Sequence, residues 1–273
     1  MKKHRYEYYY LLSAVLLFFS GFNILACKGS PSSLALQAKD ASSGQIIPFQ
    51  LHTKETSIPL LPSRGATSPQ MRFSLVLLEL PRQREIEELV EKTFYDGEDP
   101  QSYGNRLINQ HKANYLEMVH AITEHSDTYE SLNWEYNEVM DISFPLPGMA
   151  VVSRSREYYL GGAHGMQEKK YVVINTERNK QVKLDDLMKK GYQTVLLQQI
   201  EAELRTLTGI KKTAPLREGG FFEDTVTIPE NFFIVPGGLG FHWDPYEIAP
   251  YSMGPVEITI PFEKLQDVLR IYT

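Results

Sequence analysis

Two short stretches carry the side chains best suited to chemistry. The first, EYYLGGAHG at 157–165, runs two tyrosines into a Gly-Gly pair and sets His164 just before a third glycine. The second, FHWDPYE at 241–247, brings His242, Asp244 and Glu247 close together in the chain. Imidazoles beside carboxylates form the donor set of a metal site or of an acid-base pair, so convergence of these four residues would build a hydrolytic centre. Each also has a purely conformational reading. His164 is fenced by glycines in a turn, and Asp244 ahead of Pro245 is a turn former. The adjacent glycines Gly161 and Gly162 mark a place where the backbone needs positive φ or a close approach.

Other titratable groups make weaker candidates. His111, His120 and His125 stand nine, five and fourteen residues apart, so no pair has the helical spacing a metal requires. Asp185 or Asp186 reads as a helix N-cap, because Tyr192, Leu196, Ile200, Leu204 and Leu207 form a stripe behind them that Gly209 ends. There is no serine elbow, no H-E-x-x-H and no phosphate loop. The expectation is therefore a protein without catalytic residues, metal or cofactor. What remains is aromatic: Tyr158, Tyr159, Trp243, Tyr246 and Tyr251 either supply rigid contact area for a ligand or pack the core and hold turns.

These residues need a scaffold, and the chain supplies one by periodicity. A β-prone run at 72–80 is followed by a helix with Ile86, Leu89, Val90 and Phe94 on one face and Glu85, Glu87, Glu88 and Glu91 on the solvated one. A second helix is expected over 101–125. Alternation of Trp134, Tyr136, Met140 and Ile142 against Glu135, Asn137 and Asp141, the run from Met149 and the segment KKYVVIN give three strands with short links, an antiparallel meander. NFFIV and LGFHW flank a tight turn, VEITIPF is a last strand, and EKLQDVLRIY reads as a closing helix. The fold class expected is α+β, mainly antiparallel sheet with helices packed on it, in two intimately associated subdomains.

The N-terminus reads as an export signal. Lys2, Lys3 and Arg5 precede a short apolar run, and Ile24, Leu25 and Ala26 precede Cys27, the single cysteine of the 273 residues. This resembles a bacterial lipobox, in which the cysteine is diacylated and becomes the new N-terminus. The mature chain then has no free thiol and no disulfide. Loss of three basic residues and one acidic residue moves the net charge from −6 to −8, which argues against nucleic acid as a partner. The division expected is a signal at 1–26, a tether and irregular segment at 27–70, an α/β subdomain at 71–145 and a C-terminal domain at 146–273.

Taken in order, YYLGGAHG, LDDL, NFFIVPGGLGFHWDPYEIAPYSMG and ITIPFEKL resemble the extracytoplasmic domain family found in RsiV-type anti-sigma factors and PdaC-type envelope deacetylases. The resemblance spans 158–269, and 72–143 looks like the companion domain that precedes it. It implies an α+β fold outside the cytoplasm, and in RsiV-type proteins this region binds a lysozyme. Two departures stand out: few residues precede the apolar run, and a lipobox takes the place of a transmembrane span. No deacetylase catalytic domain is seen. The function expected is a lipid-anchored, non-catalytic binding protein of the bacterial cell envelope, recognising a cell-wall glycan (peptidoglycan) or a lysozyme-like protein. Its ligand-binding candidates are Tyr159, Gly161, Gly162, His164, His242, Tyr246 and Tyr251. The alternatives are a metal-dependent envelope hydrolase and a structural assembly protein.

Overall fold

The computed structural model describes residues 33–39, 46–59, 68–81, 83–123 and 132–270. The expected signal segment with Cys27, and His125, lie outside the described residues. The fold is α+β, built on a seven-stranded sheet in the order β1-β2-β3-β4-β5-β6-β7 and a three-stranded sheet β10-β9-β8. The strands of the large sheet are β1 (Ser33–Lys39), β2 (Ile46–Pro59), β3 (Gln70–Glu79), β4 (Trp134–Leu146), β5 (Met149–Tyr159), β6 (Met166–Asn175) and β7 (Lys180–Gln181). All its neighbours are antiparallel except β3 and β4, which the helices α1 (Arg84–Phe94) and α2 (Pro100–Thr123) join as a parallel pair.

Alternation along the central strands sorts side chains into two cores. Trp134, Tyr136, Met140, Ile142, Val152 and Ile174 face α1 and α2. Met149, Val151 and Val173 point the other way, against the small sheet of β8 (Phe232–Val235), β9 (Gly238–Trp243) and β10 (Val256–Pro261). The helix α4 (Gln193–Thr208) covers the far side of that sheet, burying Leu196, Ile200 and Leu204 and packing on β10. The expected boundary between 145 and 146 falls in the β4–β5 hairpin of one continuous sheet. The first helix ends under two cations: Arg154 donates to the Phe94 carbonyl and Lys170 to that of Thr93, satisfying carbonyls a helix C-terminus leaves free.

Three expectations are corrected. The 27–70 segment is not irregular throughout, because β1 and β2 pair across the sheet edge, with Pro48 and Pro59 near the two ends of β2. Neither Asp185 nor Asp186 is an N-cap. The short helix α3 (Leu184–Leu187) starts after Lys183, whose backbone N–H donates to Asp186 at 2.8 Å. No closing helix forms among the described residues: Phe262–Lys264 is a single 3-10 turn, and the chain beyond it runs beside α3, with a bridge between Met188 and Leu269 and an Arg270 N–H bond to the Leu187 carbonyl.

The small sheet depends on one close approach. Gly240 stands opposite Phe233 in the β8–β9 register, and a Cβ on Gly240 would lie 2.2 Å from the Phe233 ring. That ring cannot retreat, because Tyr171 of β6 stacks on it at 4.3 Å. Gly240→Ala is expected to cost about 3 kcal/mol, the upper range of overpacking. Denaturant midpoints measure it, and Phe233→Leu in the same chain should recover most of the loss.

Candidate functional site

The β5–β6 turn folds as its glycines require. Gly161 and Gly162 take φ of 83° and 100°, and the Tyr159 hydroxyl donates to the Gly162 carbonyl at 2.9 Å. A Cβ at Gly165 would meet the Tyr158 carbonyl at 2.9 Å, so the chain can return into β6 only with glycine there. The turn lifts His164 into solvent. Its ring lies on Tyr251, with centroids 3.9 Å apart and planes 21° from parallel. Tyr246 completes the group, stacked on Tyr251 at 5.7 Å and 6.3 Å from His164.

Hydrogen bonds fix the His164 tautomer. Nδ1 faces the Gly165 carbonyl at 2.8 Å and must donate to it, and in the neutral ring Nε2 is then the acceptor of the Tyr246 hydroxyl at 3.2 Å. Tyr246 is half exposed and sits at φ 74°, a left-handed backbone that a bulky side chain rarely adopts. A compact turn enforces it. The Asp244 N–H donates to Glu247 Oε2 at 2.7 Å, the Glu247 N–H to the Asp244 carbonyl, and the Tyr246 N–H to the Ala249 carbonyl.

On the strand that leads into the Tyr246 turn, a buried histidine joins two partly exposed carboxylates. His242 is 3 % exposed and reaches Asp244 Oδ1 from Nε2 at 3.0 Å and Glu257 Oε2 from Nδ1 at 3.2 Å. The Asp244 oxygen also accepts the Lys169 N–H at 2.8 Å, and Tyr171 donates to the same Glu257 oxygen at 3.0 Å. Burial alone would lower the His242 pKa, but the bonds to Asp244 and Glu257 reverse this and raise it above the ordinary 6.5. Glu257 is held below its usual range, chiefly by the His242 bond and despite its partial burial.

The same cluster also closes a sheet edge. β7 pairs only with Ile174 and Asn175, so it leaves the earlier part of β6 without a strand partner on that side. There Asn231 substitutes for a peptide: its side-chain oxygen accepts the Tyr171 N–H at 2.9 Å and its amide donates to the Lys169 carbonyl at 2.7 Å. Asp244 takes the Lys169 N–H. An unpaired edge is thereby satisfied by side chains from the small sheet's loops, and these bonds fix the ring group in place.

The candidates of the sequence therefore separate. Tyr159, Gly161, Gly162, His164, Tyr246 and Tyr251 form one rim. His242 is set apart from it, buried between Asp244 and Glu257, while Glu247 closes the turn. Trp243 is core, 3 % exposed, and Tyr158 points to the opposite sheet face, stacked on Tyr136 and donating to Glu168. His111 packs at 5.2 Å from Phe73 and 5.0 Å from Tyr136 under α2. Among the described residues no three His, Cys, Asp or Glu side chains group closely enough to hold a metal ion. Sequence reasoning missed Asn231 and Glu257. Glu257 was visible only as the polar position after Val256 in a strand, which is also how a solvated residue looks.

Residues 185–263 match the family model described as a protein of unknown function, DUF3298. The match falls within the 158–269 interval that carries the sequence motifs. No curated protein matches the chain. Among solved structures, a DUF3298 family member from Bacteroides fragilis NCTC 9343 superposes with TM-score 0.69 at 19 % identity, covering 82 % of this chain and 94 % of that one. A DUF3298 family protein from Pseudomonas aeruginosa PAO1 gives TM-score 0.57 at 16 % identity, again covering 82 % and 94 %. In sequence over 185–263, and in fold over most of its length, the chain is thus similar to DUF3298 proteins.

Proposed function

We propose that this is a lipid-anchored, non-catalytic binding protein of the bacterial cell envelope, and that His164, Tyr246 and Tyr251 form the shelf on which a cell-wall glycan rests. The observation that carries this reading is the shelf's construction. Rings from segments 82 residues apart meet in one exposed stack, and the backbone at Tyr246 is held strained to keep its ring there. Strain of that kind costs about 1–3 kcal/mol and persists where the surrounding structure imposes it, often at ligand sites. A sugar ring offers an apolar C–H face and a rim of hydroxyls. A flat aromatic stack with a carboxylate, Glu247, exposed beside it answers both.

The imidazoles support binding over hydrolysis. His164 has both nitrogens committed to the turn and to Tyr246, and His242 has both on carboxylates. Neither has a lone pair facing an open cleft, which general-base chemistry would need. Anchoring through Cys27 places the shelf near the wall, and one diacylated cysteine gives durable attachment where a single chain would be marginal.

Co-sedimentation of the purified chain with peptidoglycan tests the proposal. Binding should fall about tenfold or more in Tyr251→Ala while the circular dichroism spectrum and melting temperature stay close to the parent's. Binding of a lysozyme in place of peptidoglycan, lost in the same variant, would change the ligand from glycan to protein. Retention of neither would remove the proposal.

A further inference from the structure

The His242 cluster has a property that none of the bonds shows alone. Ionised carboxylates accept hydrogen bonds and have none to give. The Asp244 oxygen facing His242 already accepts the Lys169 N–H, and the Glu257 oxygen facing it already accepts the Tyr171 hydroxyl. Both ring nitrogens of His242 must then be donors, which requires the imidazolium. We infer that His242 is a positioning residue for the shelf, a buried cation whose second proton ties the loop bearing Tyr246 to β6 and β10, so that the shelf assembles only while His242 is doubly protonated.

The surroundings bear on this from every side. Glu257 faces His242 from β10 and Asp244 from the loop after β9. From β6, the Tyr171 ring stands edge-on at 5.9 Å and the Lys169 ammonium lies over that ring at 4.8 Å. Asp141 of β4 adds negative charge beyond Tyr171. Asn231 accepts the His242 backbone N–H, so the strand itself stays anchored whatever the ring does. Lys169 opposes a second cation, and the three carboxylates outweigh it. Removing one proton turns a ring nitrogen's lone pair toward a carboxylate, and one of the two ties becomes repulsive.

The direction of the pH effect follows. The folded-state pKa of His242 is raised, so its stabilisation is complete below the ordinary value of 6.5 and is lost as pH rises through the folded value. Glu257 is lowered, so its share is present above the ordinary 4.5 and is lost as pH falls through its own folded value. Shelf assembly is strongest between pH 4.5 and 6.5 and weakens as pH leaves that window on either side.

This inference rests on the shelf being the binding site, and its test separates the two claims. Nitrogen NMR on the purified full chain between about pH 5 and 9 should find both His242 ring nitrogens protonated at the acid end, with a midpoint above 6.5. The Lys169 amide, bonded to Asp244, reports loop attachment directly. Its exchange, corrected for the intrinsic pH dependence, should quicken about tenfold through the same midpoint. Glu257→Gln should move the midpoint down, and His242→Gln should make Lys169 exchange indifferent to pH. A midpoint at or below 6.5, or Lys169 protection that does not follow it, would overturn the inference. Peptidoglycan binding over the same range should weaken above the midpoint. If peptidoglycan fails to bind at any pH while His242 and Lys169 titrate together, the glycan reading falls and the proton-dependent tie stands.

Discussion

Arg156→Met is expected to destabilise the fold by about 3–5 kcal/mol, the largest single loss the molecule offers outside its apolar cores. Arg156 is the charge partner of Glu138, whose side chain is wholly buried in the middle of β4. The guanidinium donates from Nε to Glu138 at 2.8 Å and from Nη2 to the Tyr103 hydroxyl, and Tyr103 and Tyr136 both donate to the same carboxylate. Burial holds both tyrosines neutral, and the neighbouring charge of Glu138 adds to the effect, so they remain donors. Taking Arg156 away leaves a carboxylate in the core with only two hydroxyls to solvate it.

The reverse deletion should be gentler. Glu138→Leu leaves Arg156 with an exit, because it is 22 % exposed and already stands 3.7 Å from Glu168. A cost of about 1–3 kcal/mol is expected there, mostly from the two stranded tyrosine hydroxyls. The double variant Glu138→Leu/Arg156→Met should recover much of the Arg156→Met loss, since an apolar pair can replace a buried ion pair at little cost. Urea unfolding of the four chains completes the cycle. Equal losses for the two single variants would mean that Glu138 has solvent access that its burial denies.

This pair marks one limit of what the sequence discloses. The apolar register of β4 runs through Trp134, Tyr136, Met140 and Ile142, and Glu138 occupies that same register, so its break in the alternation was a visible signal. Its partners were not visible, since Tyr103 and Arg156 come from α2 and β5. β4 was legible because one of its faces is buried, which writes period two into the residues, and β5 and β6 because their apolar runs are buried on both faces. β1 and β2 were not, because β1 is an edge held by backbone pairing and β2 carries no buried side chain among its described residues to write a period into it. The stripe at 192–207 buries Tyr192, Leu196, Ile200 and Leu204, and Gly209 caps α4, but the pattern departs at its ends. Tyr192 precedes α4, Leu207 is 55 % exposed, and residues 188–189 leave helical geometry to bond the C-terminal segment. At the site, GGAHG and YEIAPY announced the two halves of the shelf. That His242 is buried apart from it depends on the pairing of β9 with β10, which no local pattern encodes.

The shelf itself supplies the second large effect, in which stability and binding move apart. At Tyr246 the left-handed backbone strains any residue with a Cβ, whereas glycine takes φ near 74° at no steric cost. Removing the ring should abolish stacking with Tyr251 and the bond to His164, so Tyr246→Ala and Tyr246→Gly should lose peptidoglycan binding alike, by about tenfold or more. Their stabilities should differ in the order opposite to that at ordinary positions. Alanine keeps the strain and loses the ring contacts, while glycine relieves the strain, so Tyr246→Gly should be the more stable by about 1 kcal/mol, or roughly 2–4 °C in melting temperature. The entropy of an unfolded glycine works against this gain but does not cancel it at a backbone angle that alanine resists. Thermal unfolding of the two variants side by side decides the matter. If alanine proves equal or better, the chain at Tyr246 is not held left-handed, and the ring stands over His164 without strain. If glycine is better and binding persists, the strain is real but serves the turn, and the ligand rests elsewhere on the rim.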